Sequence, residues 1–306
     1  MSLPIITPEI EPHLDWRALL TAFDAAHRLS PAELDDTFLY RGEDTLLSRA
    51  AWIDGMGALV KTATIFPGNP AQGLASVNGA AALYSDSDGL LQAMVDFHLL
   101  TKWKTAGDSL FAASLLARPE SRRITLVGAG TVARSMVDAY RAVFPQAEFT
   151  IWARRVESAE AFARDLEGVT AEADLQRAVA GADIICTATM SREPVVMGEW
   201  LQPGQHLDLI GAFRADMREV DDTALQRAAL FVDSRKTVLD HIGEMKDPLA
   251  RGVIAREDIR ADFYDIASGR FTRPAPDAIT ICKNGGGAHL DLMTARYIFD
   301  VWQAQN

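Results

Sequence analysis

Arg123-Ile-Thr-Leu-Val-Gly128-Ala-Gly130-Thr131-Val-Ala133, followed at once by Arg-Ser-Met-Val-Asp-Ala-Tyr140, decides the fold. A short β-prone run ends in Gly-Ala-Gly, and a helical pattern starts on the next residue. Gly128 permits a tight turn, Gly130 lets the backbone approach a pyrophosphate, and Ala133 keeps the new helix close to the strand. The first amides of that helix, from Thr131 on, carry the positive end of its dipole and point at an anion. A Gly-x-Gly-x-x-Ala run alone is also an ordinary turn of α/β proteins. The strand before it and the helix after it make dinucleotide binding the reading here.

Outward from this turn the pattern alternates. Strands are expected at 123–127, 148–152, 183–188, 206–211 and 230–233, and helices at 131–143, 156–166 and 174–179. Repeated β-then-α units predict an α/β fold, a Rossmann-type doubly wound parallel sheet covered on both faces. Residues 1–117 read differently. A helix is expected from Pro12 to Leu29, then β-like runs at 45–48, 58–64, 76–84 and 90–95, with a hairpin turn at Asp86-Ser-Asp-Gly89. A long helical pattern follows from His98 to Ala117. Arg118-Pro-Glu-Ser-Arg122 is charged, contains Pro119 and reads as a linker. Ala288 to Gln303 is a final amphipathic helix expected to cross back. The division is therefore an α+β domain at 1–117 with 290–306, and a dinucleotide-binding domain at 118–289.

Composition narrows the functions. The chain has 306 residues, 48% hydrophobic and 24% charged, with a formal net charge of −12. An acidic surface repels phosphate backbones, which counts against nucleic acid as a partner. No apolar run approaches the ~20 residues that span a bilayer. Met1-Ser-Leu-Pro-Ile-Ile-Thr-Pro has no basic region or long apolar core, so no signal peptide is expected. Cys186 and Cys282 lie in apolar strand-like runs and are read as buried small hydrophobes. Cytoplasmic location fits these features. The six histidines show no metal-ligand spacing, and no metal is predicted.

The cofactor is read from the second strand of the sheet. In NAD-binding folds an acid at its end takes the ribose hydroxyls. Here Phe149-Thr-Ile-Trp152 is followed by Ala153-Arg154-Arg155. Two guanidiniums suit a 2′-phosphate, so NADP(H) is favoured and NAD(H) remains possible. The alternative is a solvated arginine pair. Thr187-Ala-Thr189 ends the next apolar strand, where hydroxyls could contact the nicotinamide ribose or cap a turn.

Several further pieces, in order and spacing, are similar to the ornithine cyclodeaminase/mu-crystallin family. They include Leu59-Val-Lys61, Gln72-Gly-Leu74, Gly79, Asp86 to Asp96, and Leu100-Thr-Lys-Trp-Lys104-Thr-Ala106. After the Gly128-Ala-Gly130 turn come Thr187-Ala-Thr189, Ile210-Gly-Ala212 with Glu219, Val232-Asp233, Gly243-Glu244 and Asp291-Leu292. The resemblance runs from about residue 45 to 300. It implies a homodimer with a substrate-binding and dimerisation domain beside the dinucleotide-binding one. It also implies NAD(P)(H)-dependent hydride transfer at the α-carbon of an amino or imino acid.

Residue by residue, the resemblance implies that Lys61 is the active-site lysine, binding a carboxylate or donating a proton to an imine nitrogen. Lys104 falls where the family has a carboxylate-clamping arginine, and lysine keeps the charge without the fork. A second carboxylate-binding arginine is implied near the N-terminus, with Arg41 and Arg49 both open. Asp291 is assigned to the cofactor together with Gly128, Gly130, Thr131, Ala133, Arg154, Arg155, Thr187 and Thr189. Cyclodeaminase members carry an acid just after the Gly-Ala of a late strand, and Phe213 stands there in Gly211-Ala-Phe213-Arg-Ala-Asp216. A phenyl ring cannot take an ammonium proton. Phe213 reads as an apolar wall against substrate or, equally, as core packing. The favoured function is thus a cyclic ketimine (pyrroline-2-carboxylate type) reductase or an amino-acid dehydrogenase. Ornithine cyclodeamination, or non-catalytic binding of NADPH and a small molecule, are the alternatives.

Overall fold

Along Gly57–Ile65 burial alternates, with Leu59, Lys61 and Ala63 buried, the period of a strand with one face on a core. In a computed structural model, which describes residues 3–306, this strand sits inside a six-stranded sheet. Met1 and Ser2, where the expected first domain and the N-terminal reading begin, lie outside the described residues. The elements are β1 (Ile5–Ile6), α1 (Trp16–Ala26), β2 (Glu33–Arg41), β3 (Asp44–Ile53), β4 (Gly57–Ile65), β5 (Val77–Tyr84) and β6 (Leu91–Asp96). The order is β1-β6-β5-β4-β3-β2, antiparallel except for β1 on β6. The C-terminal helix Ala288–Gln305 lies on β3, β4 and β5, with α1 beside it.

Two expectations need correction here. The single helix over 12–29 is instead a 3-10 segment, Pro8–His13, and then α1. Asp15 separates them: it is extended, and its carboxylate caps α1 by accepting from the Ala18 amide at 2.8 Å. The sequence reading has no strand at 33–41, where β2 pairs with β3 from Glu33↔Trp52 to Arg41↔Asp44. Glu33, Asp35 and Asp36 give it no apolar alternation, and pairing with β3 makes it a strand.

Helix α2 (Phe97–Leu116) is continuous, yet the chain divides within it into two compact units. One holds the residues up to Lys104 together with Gly287–Asn306, and the other holds Thr105–Gly286. The division expected at 117/118 falls later, at the loop where the Ser121 amide bonds Arg118 O at 3.0 Å. Packing changes partner along a helix that has no break in its backbone, so no linker composition marks the spot.

The second unit is a parallel sheet. It is built from β7 (Arg123–Val127), α3 (Thr131–Val143), β8 (Glu148–Trp152), α4 (Val156–Asp165), β9 (Val169–Ala171), α5 (Leu175–Gly181) and β10 (Ile184–Thr187). Then come β11 (His206–Leu209), α6 (Asp222–Arg227), β12 (Ala229–Val232), α7 (Arg235–Val238), α8 (Gly243–Arg251), β13 (Ile259–Ala261) and β14 (Thr280–Lys283). The C-terminal helix is α9. The strand order is β13-β12-β14-β11-β10-β7-β8-β9. It reverses direction at β7, which leaves a crevice at the carboxyl ends of β7 and β10. Strands buried on both faces, such as Ile184–Thr187, need continuous apolar runs. Cys186 and Cys282 flank Asp208 in register, and both thiols are free and buried. No helix among the described residues is long and apolar enough to cross a membrane.

Candidate functional site

The alternation that buries Leu59 and Ala63 also buries Lys61, so a lysine stands on the core face of β4. Register places Arg49 of β3 directly opposite it. Two cations side by side repel, and an anion between them is required. Asp291 of α9 is that anion. Lys61 Nζ donates to Asp291 Oδ1 at 2.8 Å and to Thr101 Oγ1 at 2.9 Å, and Arg49 Nη1 stands 3.8 Å from Oδ2. Phe97, Thr101 and Lys104 recur at helical spacing on α2. The first two meet Lys61, with Nζ 4.8 Å from the Phe97 ring centroid, and Lys104 acts on Lys61 and Asp291 through its charge.

Burial pulls the Lys61 ammonium below its usual pKa, and Asp291 opposes that fall. For Asp291 burial alone would raise the carboxyl, but Lys61, Lys104 and Arg49 outweigh it and hold it below the usual range. The cluster therefore keeps Asp291 ionised and retains more positive than negative charge. Below it, burial and then His27 push His289 well below the ordinary imidazole range.

Sequence reasoning left Arg41 and Arg49 open, and the geometry separates them. Arg41 is exposed at the end of β2 and pairs with Asp44 at 2.9 Å, away from the cluster. Arg49 joins the cluster and also holds Asp36 at 2.8 Å. Lys102 pairs with Glu11 at 2.6 Å, leaving Lys104 as the α2 lysine of the site. Asp291, assigned from sequence to the cofactor, lies in the Lys61 unit, fully buried and paired with Lys61 and Arg49.

The second unit forms its own cleft of about 360 Å3, lined by Gly128, Ala129, Trp152, Arg154, Arg155, Ser158, Thr189 and Met190 among others. Gly128 has φ +112°, and a Cβ there would lie 2.7 Å from Ala188 O. Gly130 is the N-cap of α3 and offers no side-chain cap, so the amides from Thr131 on are open to an anion. Ala133 is fully buried against the sheet. Arg154 and Arg155 are exposed at the end of β8 and form no ion pair among the described residues. Thr187 is fully buried, so its hydroxyl does not reach a ribose in the cleft.

Glu219, Glu244 and Asp233 of this unit belong to the pieces that carry the resemblance, and their types and spacing point to no role. Glu219 is fully buried, and its carboxylate accepts from the amide and hydroxyl of Thr189 and from the amides of Gly211 and Ala212. Glu244 accepts from the amides of Glu219 and Val220 at 2.7 and 3.1 Å. Asp233 accepts from the Gly285 and Gly286 amides, so the glycine run before α9 has these donors engaged rather than facing a ligand. Lys283 is buried and donates to Leu209 O and Asn284 O. The signal available in the sequence for Glu219 was an acid seven residues past the Gly211-Ala212 pair.

Phe213 is 57% exposed, which rules out core packing. Asp216, the acid nearest to Phe213 in sequence, is held by Arg214 at 2.9 Å and Arg192 at 3.2 Å.

Glu244 makes folding pH-dependent. Burial, then the Glu219 charge, push its carboxyl up to about 7 from 4.5, with Lys283 opposing. A folded pKa above the unfolded one gives stability that is complete below the unfolded value and lost as pH rises through the folded one. Between pH 5.5 and 8 the wild type should lose about 2 kcal/mol more stability than Glu244→Gln. Urea unfolding at both pH values checks this, and parallel pH slopes would refute it.

The sequence profile of the ornithine cyclodeaminase/mu-crystallin family matches residues 53–306. A Delta(1)-pyrroline-2-carboxylate reductase of Paracoccus denitrificans is 51% identical over 291 residues, 93% of this chain and 92% of its own. The ketimine reductase mu-crystallin of Mus musculus is 35% identical over 246 residues, 80% of this chain and 76% of its own. The solved structure of an archaeal alanine dehydrogenase, a dimer with bound NAD, superposes with a TM-score of 0.90 at 29% identity, covering 100% of this chain and 98% of that one.

Proposed function

The chain belongs to the ornithine cyclodeaminase/mu-crystallin family, and from that premise we propose that it reduces a cyclic ketimine of the pyrroline-2-carboxylate type. It is an NAD(P)(H)-dependent enzyme acting at the α-carbon of an amino or imino acid. The observation that carries the proposal is the buried cluster of Lys61, Arg49 and Lys104 around Asp291, whose surplus positive charge suits one carboxylate.

Arg49 and Lys104 hold that carboxylate. Lys61 Nζ donates to the imine nitrogen and supplies its proton, and its burial-depressed pKa eases the release. Asp291 and Thr101 fix where that ammonium points. Phe213 offers an exposed apolar face for a ring. The Gly128 turn and the open amides of α3 fit a pyrophosphate, and Arg154 with Arg155 fit a 2′-phosphate at the adenosine end. When bound, the reduced nicotinamide supplies the hydride.

Purified protein with NADPH and Δ1-pyrroline-2-carboxylate should consume the reduced cofactor and release proline. No turnover on a panel of cyclic ketimines, with proline and ammonia formed from ornithine and oxidised cofactor, would replace this reading by cyclodeamination. The arginine pair makes NADP(H) the preferred cofactor. Replacing both Arg154 and Arg155 by alanine should weaken NADPH about tenfold and leave NADH within twofold, since a charge-assisted contact at an exposed site carries roughly that much. Equal losses for both nucleotides, measured by fluorescence titration, would refute it.

Assembly is proposed as a homodimer through the first unit. Edge strand β2 exposes Phe38, Leu39 and Tyr40 at 47%, 61% and 73%, an apolar edge that a monomer rarely leaves bare. Sedimentation velocity reads the state directly, and a monomer at micromolar concentration would sink the idea. Both cysteines are free and buried, which suits the cytoplasm in which we place the enzyme.

A further inference from the structure

We infer that Glu219 is a positioning residue for the nicotinamide half of the cofactor, because its single carboxylate ties the turn after β10 to the turn after β11. The inference rests on the proposed hydride-transfer reading, since it assumes that a dinucleotide occupies the crevice of this unit.

The chain crosses the sheet in opposite directions on the two sides of β7, so a dinucleotide is divided there. The adenosine half belongs to the β8 side, where Arg154 and Arg155 stand. The nicotinamide half belongs to the β10 and β11 side, and Thr189 and Gly211 begin the loops at those strand ends. Neither connection continues a strand of the sheet at Thr189 or Gly211; further along, a parallel bridge at Val196↔Val220 joins the two. Their backbones must be fixed relative to one another if a ring is to be held at one angle.

Glu219 supplies that fixing. Oε1 accepts from the Thr189 amide and hydroxyl, each at 2.8 Å, and Oε2 accepts from the Gly211 and Ala212 amides at 2.8 and 3.1 Å. All these hydrogens point at one fully buried anion. The turns are in contact as well. A Cβ on Gly211 would lie 2.1 Å from Thr189 O and 2.3 Å from Thr189 N, so only glycine lets them approach. Glu219 is itself held by its backbone: its amide donates to Glu244, and its carbonyl accepts from the Val195 and Val196 amides. Glu219 lies in the connection after β11, so its backbone bonds to Val195 and Val196 of the connection after β10 and its carboxylate bonds to Thr189 tie the same two segments together at two places. Phe213 follows Ala212 directly, so the brace also sets where its ring stands.

Glutamine at 219 keeps the size but turns one acceptor into an N–H pair facing donors. One of the two loops is then released, and the other stays. The expected signature is a split between probes. For Glu219→Gln, NADPH affinity should fall about tenfold, while 2′,5′-ADP, which lacks the nicotinamide, stays within twofold. NADH and 5′-ADP serve as the second probe pair. On the ketimine, kcat should fall about tenfold with the substrate KM within twofold. Thr189→Val, which removes one hydroxyl donor, should show the same split at smaller size, and Thr189→Ser should restore it. The Thr189 variants also carry the test if Glu219→Gln does not fold.

Parallel losses of NADPH and 2′,5′-ADP would mean that Glu219 only maintains the fold, and the inference fails. Unchanged NADPH affinity would overturn it equally. A wild type that binds NADPH but reduces no ketimine would defeat the proposed function and not the brace, because the binding split needs no turnover.

Discussion

Lys61→Met should lower kcat/KM on the ketimine by about three orders of magnitude, the size expected when a positioned proton donor is lost together with a charge facing the substrate. Methionine keeps the length and apolar stem of lysine, so β4 still fills its side of the core. What disappears is the ammonium that Asp291 and Thr101 aim. The same change leaves the fully buried Asp291 with Arg49 at 3.8 Å and the Lys104 charge. Breaking a buried pair on one side strands the other charge, and a cost of about 3 kcal/mol in stability is expected. These two effects separate in the double variant. Lys61→Met with Asp291→Leu removes the stranded charge and should regain most of the stability while activity stays at the low level. Turnover within tenfold of wild type for Lys61→Met, or activity that returns with stability in the double variant, would remove Lys61 from the chemistry.

Gly128→Ala should abolish useful cofactor binding, weakening NADPH by about a hundredfold or more. At φ +112° a side chain is strained, and its Cβ would meet Ala188 O at 2.7 Å and Ala188 C at 3.0 Å. Those atoms belong to the backbone and cannot rotate away, so the turn itself must move. The Gly128 amide also bonds Trp152 O at 2.8 Å, which links the turn to the strand end that carries Arg154. Gly130→Ala is the informative companion. Gly130 has no heavy atom within 4 Å of a built Cβ and no positive φ, so the empty protein should tolerate alanine. It should keep its melting temperature and lose affinity only because the methyl stands where a pyrophosphate approaches. Equal melting temperatures and equal affinities for both variants and wild type would show that this turn does not hold the cofactor.

The legible part of the chain was local. Strands at 123–127 and 148–152 and the helix at 131–143 follow from apolar runs and from glycines that end them, and the structure places β7, β8 and α3 on those residues. Lys61 was legible because an apolar run ends in a charge, as was the burial of both cysteines. The exposed state of Phe213 was not, since an aromatic after Gly-Ala suits a wall and a core alike. Arg41 and Arg49 are indistinguishable by composition. Cross-strand register alone pairs one with Asp44 at the hairpin end and sets the other opposite Lys61. The pairing of Asp291 with Lys61 was illegible for the same reason, because the two lie 230 residues apart in the chain.

By itself the order of residues determined an alternating α/β half with a Gly-Ala-Gly turn between a strand and a helix, and a lysine at the end of an apolar run in the other half. Periodicity and turn propensity depend on neighbours a few positions away, which any reader of the chain can see. Only the folded molecule decided which charges meet. Asp291 with Lys61, and Glu219 with Thr189 and Gly211, are brought together by the path of the backbone. Each buried charge is tolerable there because distant segments deliver its partners to within hydrogen-bonding distance.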